Sequence, residues 1–176
     1  MADTSAPPRL LIVNCASPYF FYIPMGSFGL CDFLGQQGLE ARIFSPSLYP
    51  EAAVRDRFHA TLDDFQPTHV GLVCHWQETA HGLISALAMV KAWNPAVVAF
   101  SGGFTASYFA ESLLEHLEQL DYVVIGDPEE TVAQLLLGRP PAEMANLAWR
   151  QDGRIRRSER VWLMEQPLFD ALRFAD

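Results

Sequence analysis

The chain has 176 residues, half of them hydrophobic and 19% charged, the composition of a domain with a packed core rather than of a disordered segment. Twelve Lys and Arg against 21 Asp and Glu give a net charge of −9, the wrong sign for a nucleic-acid surface or for polybasic attachment to a membrane. No apolar run approaches the ~20 residues of a spanning helix, the opening MADTSAPPR lacks the order of a secretion signal, and Cys15, Cys31 and Cys74 form no C-x-x-C; the expectation is one domain in a reducing cytoplasm.

Five short apolar runs occupy residues 10–13, 41–44, 70–73, 97–100 and 122–125. Apart from Arg42 in the second, they are continuous rather than alternating, the pattern of strands buried on both faces. Centred on Ile12, Ile43, Leu72, Val98 and Val123, they recur every 31, 29, 26 and 25 residues, the length of a strand, a crossover helix and the return to a parallel strand. The first intervening helix, about residues 25 to 37, is glycine-rich (Gly26, Gly29, Gly35), which lowers its propensity and points to close approach by the sheet or by a ligand. Val54, Phe58, Leu62 and Phe65 make the apolar stripe of the second; Leu83, Ile84, Leu87 and Ala88 make that of the third, stopped by Asn94-Pro95. Phe109, Leu113, Leu117 and Leu120 mark the fourth.

This alternation predicts a flavodoxin-like Rossmann sandwich, a five-stranded parallel sheet of order 2-1-3-4-5 with helices on both faces. The pattern breaks after Leu137, so residues 1–138 form the α/β domain and 139–176 a run-out. Residues 146–158 read as a β-hairpin turning at Asp152-Gly153. No packed element is predicted for residues 161–176, and six of the chain's eleven arginines fall at or after Arg150.

A ligand of such a sheet sits beyond the carboxyl ends of the strands, where the strand order reverses. The loops there are 14–24, 74–79, 101–105 and 126–131. A phosphoacceptor domain needs acids after the first and third strands to hold Mg²⁺; Asn14 and Cys74 stand there instead, and the single lysine, Lys91, is far from the fifth strand. The first loop is long, aromatic and proline-bounded rather than the short Ser/Thr/Gly loop that cradles a flavin phosphate. Neither G-x-G-x-x-G nor G-x-x-x-x-G-K occurs. What remains is an aromatic first loop (Tyr19, Phe20, Phe21, Tyr22), Trp76 beside Gln77 and Thr79 in the next, and Ser101-Gly102-Gly103-Phe104 after the fourth strand. A twin glycine is either a tight strand-to-helix turn or a slot past which a ring can slide. With the apolar rim, it suits a large, flat, nearly neutral cofactor with a tail.

Four stretches carry a resemblance: PMGSFGLCDFLGQQG (24–38), PTHVGLV (67–73), SGGFT (101–105) and DYVVIGDPEET (121–131), followed by the Asp-Gly hairpin and QPLFD (166–170). In this order they resemble the cobalamin-binding domain that precedes the catalytic barrel in cobalamin-dependent radical S-adenosylmethionine enzymes. The resemblance implies a corrin over the strand ends and a nucleotide tail in the slot beside Gly102 and Gly103. It makes Ser17, Cys74, Gln77, Thr79 and Ser101 polar contacts, with Tyr19, Phe20, Tyr22 and Trp76 packed on the ring. His75, Phe104 and Gly126 complete the cofactor-binding set. Thr131 or Asp127 is expected to cap the last helix, with Glu129 and Glu130 at its positive end. No histidine stands two residues after an aspartate, so the D-x-H-x-x-G route to a protein imidazole on cobalt is absent. The three cysteines are too dispersed for C-x-x-x-C-x-x-C, so the [4Fe-4S] cluster and S-adenosylmethionine would belong to a partner domain outside this chain. The implied function is cofactor carriage in a larger enzyme of methyl transfer or oxygen-independent ring chemistry, without turnover by this chain alone. Two other readings are a stand-alone cobalamin- or tetrapyrrole-binding regulatory or carrier module, and a degenerate scaffold domain without cofactor.

Overall fold

The computed structural model describes residues 7–17 and 24–173. Its parallel strands are β1 (Arg9–Asn14), β2 (Glu40–Phe44), β3 (His69–Val73), β4 (Val98–Gly102) and β5 (Tyr122–Val124). They are linked through α1 (Met25–Gln36), α2 (Glu51–Phe65), α3 (Ala80–Trp93) and the pair α4 (Phe104–Tyr108) and α5 (Ala110–His116). The helix α6 (Glu129–Leu136) follows β5. The strand order begins 2-1-3-4-5 as predicted, but the sheet has seven strands, not five. The hairpin β6 (Leu147–Gln151) and β7 (Arg154–Arg157) continues it, β6 running antiparallel to β5 through Tyr122–Trp149, Val123–Ala148 and Val124–Leu147. Asp152 and Gly153 both take positive φ, 52° and 71°, the backbone a two-residue hairpin turn requires.

The helices divide unequally. Phe58, Leu62 and Phe65 of α2, Leu83, Leu87 and Val90 of α3, and Ala106, Ala110 and Leu114 of α4 and α5 pack one face. Among the described residues the other is covered chiefly by α1, through Leu30, Phe33 and Leu34, and α6, through Val132, Leu135 and Leu136. The fourth helical segment also departs from the predicted stripe. It breaks at Phe109 (φ −107°, ψ 27°), which is half exposed, and buries Ala106, Ala110 and Leu114, with Leu113 and Leu117 only partly covered.

The tail is packed, contrary to expectation. Asn146 carries most of this attachment from a left-handed backbone (φ 53°). Its Nδ2 donates to the carbonyls of Asp127 (3.1 Å) and Trp162 (2.7 Å), and its Oδ1 accepts from Trp162 N–H at 3.0 Å. Met164 N–H donates to Asp127 Oδ2 (2.8 Å), and Arg173 N–H to Asp32 Oδ2 (2.9 Å). Between them the short helix α7 (Gln166–Asp170) begins the turn that sets Leu168 and Leu172 against the α1/α6 core. Arg150 closes the opposite face: its guanidinium donates to the carbonyls of Leu114, Leu117 (2.7 Å) and Leu120 (2.6 Å), which end α5 and the loop beyond it.

Candidate functional site

Two helices cannot cover a face that three segments cover on the other side. α1 and α6 leave a cavity of about 580 Å³ above the middle strands, open at the carboxyl ends. Side-chain alternation sends Ile12, Phe100 and Gly102 to this face, and all three line the cavity together with Gly71 and Val124. Gly71 is needed for the floor: a Cβ there would stand 2.9 Å from Cζ of Phe100, whose ring lies across the position. Pro24 to Ser27 and Leu30 form the α1 wall; Asp127, Pro128 and Glu129 form the wall before and at the start of α6. Gly26 and Gly126 also line the space, and a Cβ at either would meet nothing within 4 Å. At Gly26, then, no close packing within the described chain accounts for the glycine.

The twin glycines have different duties. Gly103 has φ 108°, and a Cβ on it would lie 2.8 Å from the Cys74 carbonyl oxygen and 3.1 Å from His75 Cα. It is the tight turn, which the Cys74 N–H to Gly102 O bond (2.8 Å) and the Ala106 N–H to Cys74 O bond (3.1 Å) lock to the β3 loop. Gly102 needs no special backbone conformation, and a Cβ there would make only ordinary contact with Val124 at 3.7–3.8 Å. It is the open part of the slot.

The rim is aromatic. His75 stands between Trp76 (centroids 5.2 Å apart, edge-on) and Phe104 (4.6 Å), and both flanking rings are well exposed. Burial lowers the His75 pKa, favouring neutral imidazole. Of the polar groups on the walls, Ser27 Oγ donates to Asn14 Oδ1 (2.8 Å), and Ser107 Oγ accepts from Gly126 N–H (3.0 Å). Glu129 differs: it is 8% exposed, and its Oε2 is buried without a hydrogen-bond partner. Desolvation raises its pKa against the opposing effect of a backbone hydrogen bond at Glu129 itself, and the nearby Asp127 adds to the rise.

Among the residues expected at the site, His75, Trp76, Gly102, Gly103, Phe104 and Gly126 line this cavity. Others are engaged elsewhere. Ser101 Oγ donates to Leu72 O (2.9 Å) and Thr79 Oγ1 to Trp76 O (2.7 Å), both side chains buried outside the cavity. The Cys74 thiol is buried and its pKa raised by desolvation, while Gln77 is exposed and Ser17 half-buried, neither lining the cavity. Tyr19, Phe20, Phe21 and Tyr22 lie outside the described residues. The capping expectation fails: Pro128 precedes α6 with no side-chain cap, Thr131 Oγ1 donates to Ala145 O (3.0 Å), and Asp127 holds the tail. Glu129, expected only at the positive end of the last helix, also lines the cavity, and Gly71 and Phe100 were missed as its floor. The one signal for them was the glycine interrupting an otherwise branched third strand.

Residues 11–136 match the family model described as the B12 binding domain. The chain belongs to that family. No curated protein matches its sequence. Among solved structures, this B12-binding domain resembles the radical S-adenosylmethionine methyltransferase TsrM from Kitasatospora setae with cobalamin and [4Fe-4S] cluster bound. The TM-score is 0.77 at 16% identity, over 86% of this chain and 31% of that one. It also resembles the cobalamin-dependent S-adenosylmethionine radical enzyme OxsB with aqua-cobalamin and S-adenosylmethionine bound. There the TM-score is 0.68 at 17% identity, over 88% of this chain and 22% of that one. The domain thus spans less than a third of either enzyme's length.

The cavity suits the family's cofactor. Its walls are largely apolar, its floor is an aromatic ring over a glycine, and among its described wall residues is Glu129, one of whose carboxyl oxygens is buried without a partner, the balance expected of a pocket for a flat heteroaromatic group. Among the described residues no helix is long and apolar enough to cross a membrane. Burial holds the thiols in their protonated form, Cys31 pushed up to about 11 and Cys15 higher still.

Proposed function

We propose that the domain serves a larger, cytoplasmic radical S-adenosylmethionine enzyme, holding cobalamin with the nucleotide tail between α1 and α6 and the corrin against Trp76, His75 and Phe104. The observation that carries this is the cavity itself: it opens at the switch point of the sheet, where α/β ligands bind, and Gly102 leaves its neck clear. In such an enzyme cobalamin supplies a cobalt centre able to carry a methyl group. What this chain contributes is binding and orientation. The floor excludes water from the tail, the rim offers π surface to the corrin, and residues 139–176 lead toward a domain that would hold the cluster and S-adenosylmethionine. Cys15, Cys31 and Cys74 take no part in that cluster.

The test is uptake. Folded protein mixed with hydroxocobalamin and desalted is expected to keep the red cofactor at 1:1, and cobinamide, which lacks the nucleotide, is expected to bind at least tenfold more weakly. Equal affinity for the two would contradict a buried tail. Reading the coding sequence onward for C-x-x-x-C-x-x-C separates a radical enzyme from a stand-alone carrier.

A further inference from the structure

The cavity has one polar feature that the fold does not explain. Ser27, Ser107 and Asp127, also in the walls, each bond to the protein's own chain. Glu129 leaves a carboxyl oxygen buried and unmatched, which costs roughly 1–3 kcal/mol in a finished core. It is the first residue of α6 and lines the cavity, whereas the next inward positions of the helix, Val132 and Ala133, are ordinary core. An acid in the first turn of a helix is favourable, but that does not require a buried, unmatched oxygen; a ligand that completes Oε2 accounts for it.

The charges nearby say what kind. Among the described residues, Asp127 and Glu129 are the acids that line the cavity and no Lys or Arg does, while His75 stands at the rim. α1 contributes no charged side chain to the walls. A phosphate at the depth of Glu129 would meet two carboxyl groups and no cation.

We propose that Glu129 is the specificity-determining anchor of the cavity, hydrogen-bonding an uncharged ring nitrogen of the nucleotide tail and keeping the tail's phosphate outside. This rests on the reading that the tail enters the cavity. The raised pKa agrees: a carboxyl holding its proton donates to a neutral acceptor, which a carboxylate cannot do.

Affinities of cobalamin and cobinamide for wild-type, Glu129→Leu and Glu129→Gln protein, measured by quenching of Trp fluorescence, test it. Glu129→Leu is expected to weaken cobalamin about tenfold or more while leaving cobinamide within twofold, and the unliganded variant is expected to melt no lower than wild type. Glu129→Gln keeps a donor and an acceptor and is expected to stay within about threefold of wild type. Wild-type affinity is expected to fall as pH rises and Glu129 loses its proton; Glu129→Gln, with Asp127 and His75 unchanged, is expected to be flatter. The pH comparison decides the matter even where Glu129→Leu does not fold. Unchanged cobalamin affinity in Glu129→Leu, equal loss of cobalamin and cobinamide, or parallel pH profiles would overturn the anchor while leaving tail burial standing. Wild-type protein that takes up no cobalamin would overturn both.

Discussion

Gly102 and Gly103 are adjacent, yet opposite outcomes are expected on adding a side chain. At Gly103, alanine places a Cβ 2.8 Å from the Cys74 carbonyl oxygen, a backbone atom that cannot swing aside, at φ 108°. Backbone strain of this kind costs about 1–3 kcal/mol, and the overlap adds to it, so a loss of about 2–4 kcal/mol is expected. For a chain of this length that corresponds to roughly 5–15 °C in Tm. At Gly102 a Cβ has 3.7 Å of clearance and an ordinary strand backbone, and replacing glycine within a strand typically gains about 0.5–1 kcal/mol. Gly102→Val should therefore melt at or slightly above the wild-type temperature. Its two methyl groups enter the neck of the cavity, where overpacking by a ligand costs about 1–3 kcal/mol, or roughly 5- to 150-fold in cobalamin affinity. Thermal melts and equilibrium dialysis on the same preparations separate the two effects. A stable Gly102→Val that binds cobalamin like wild type would refute the assignment of Gly102 to the neck, and a Gly103→Ala as stable as wild type would refute the turn argument.

Other outcomes follow from single residues. Arg150→Met leaves the carbonyls of Leu114, Leu117 and Leu120 without their donor; a loss of about 2–4 kcal/mol is expected by urea unfolding, and little change would mean water replaces the guanidinium. Asn146→Gly keeps the left-handed backbone but deletes the bonds to Asp127 and Trp162, so trypsin should cut after Arg160 faster than in wild type, and unchanged protection would contradict the tail attachment. His69 is held at about 4, against 6.5, chiefly by burial. The unfolded chain thus takes up a proton near pH 6.5 that the folded chain refuses until about 4, and this contribution to stability is lost as pH falls through that window. The raised pKa of Glu129 works the other way, its contribution declining as pH rises above 4.5. His69→Gln should therefore flatten the acid loss, Glu129→Gln should steepen it, and the same direction from both would contradict the assignments.

Much of the sheet was legible because its cause is local. Buried parallel strands must be apolar without interruption, and the runs centred on Ile12, Leu72, Val98 and Val123 obey that rule, while β2 at the sheet edge keeps Glu40 and Arg42 exposed. The hairpin was legible as a hairpin through Asp152-Gly153, but not as an extension of the sheet. Its place depends on β5 being left with an open edge, and β5 is only three residues long. The tail gave no periodicity because it is fixed by backbone bonds to Asn146, Asp127 and Asp32 rather than by an apolar stripe. At the site, the glycine slot and aromatic rim could be read from loop composition. Ser101 and Thr79 could not be distinguished from ligand contacts, since a hydroxyl in sequence does not disclose that a neighbouring carbonyl already holds it. Glu129 was hidden for a related reason: an acid in a first helical turn ordinarily faces solvent, and only the gap between α1 and α6 makes this one an interior group.

The most direct measurement is a crystal structure of the protein grown with cobalamin. Density for the nucleotide base is expected between α1 and α6, above the ring of Phe100 and beside Gly102, with the corrin outside against Trp76. A corrin bound elsewhere on the surface, or a cavity that collapses around its own side chains while cobalamin stays bound, would contradict the central claim.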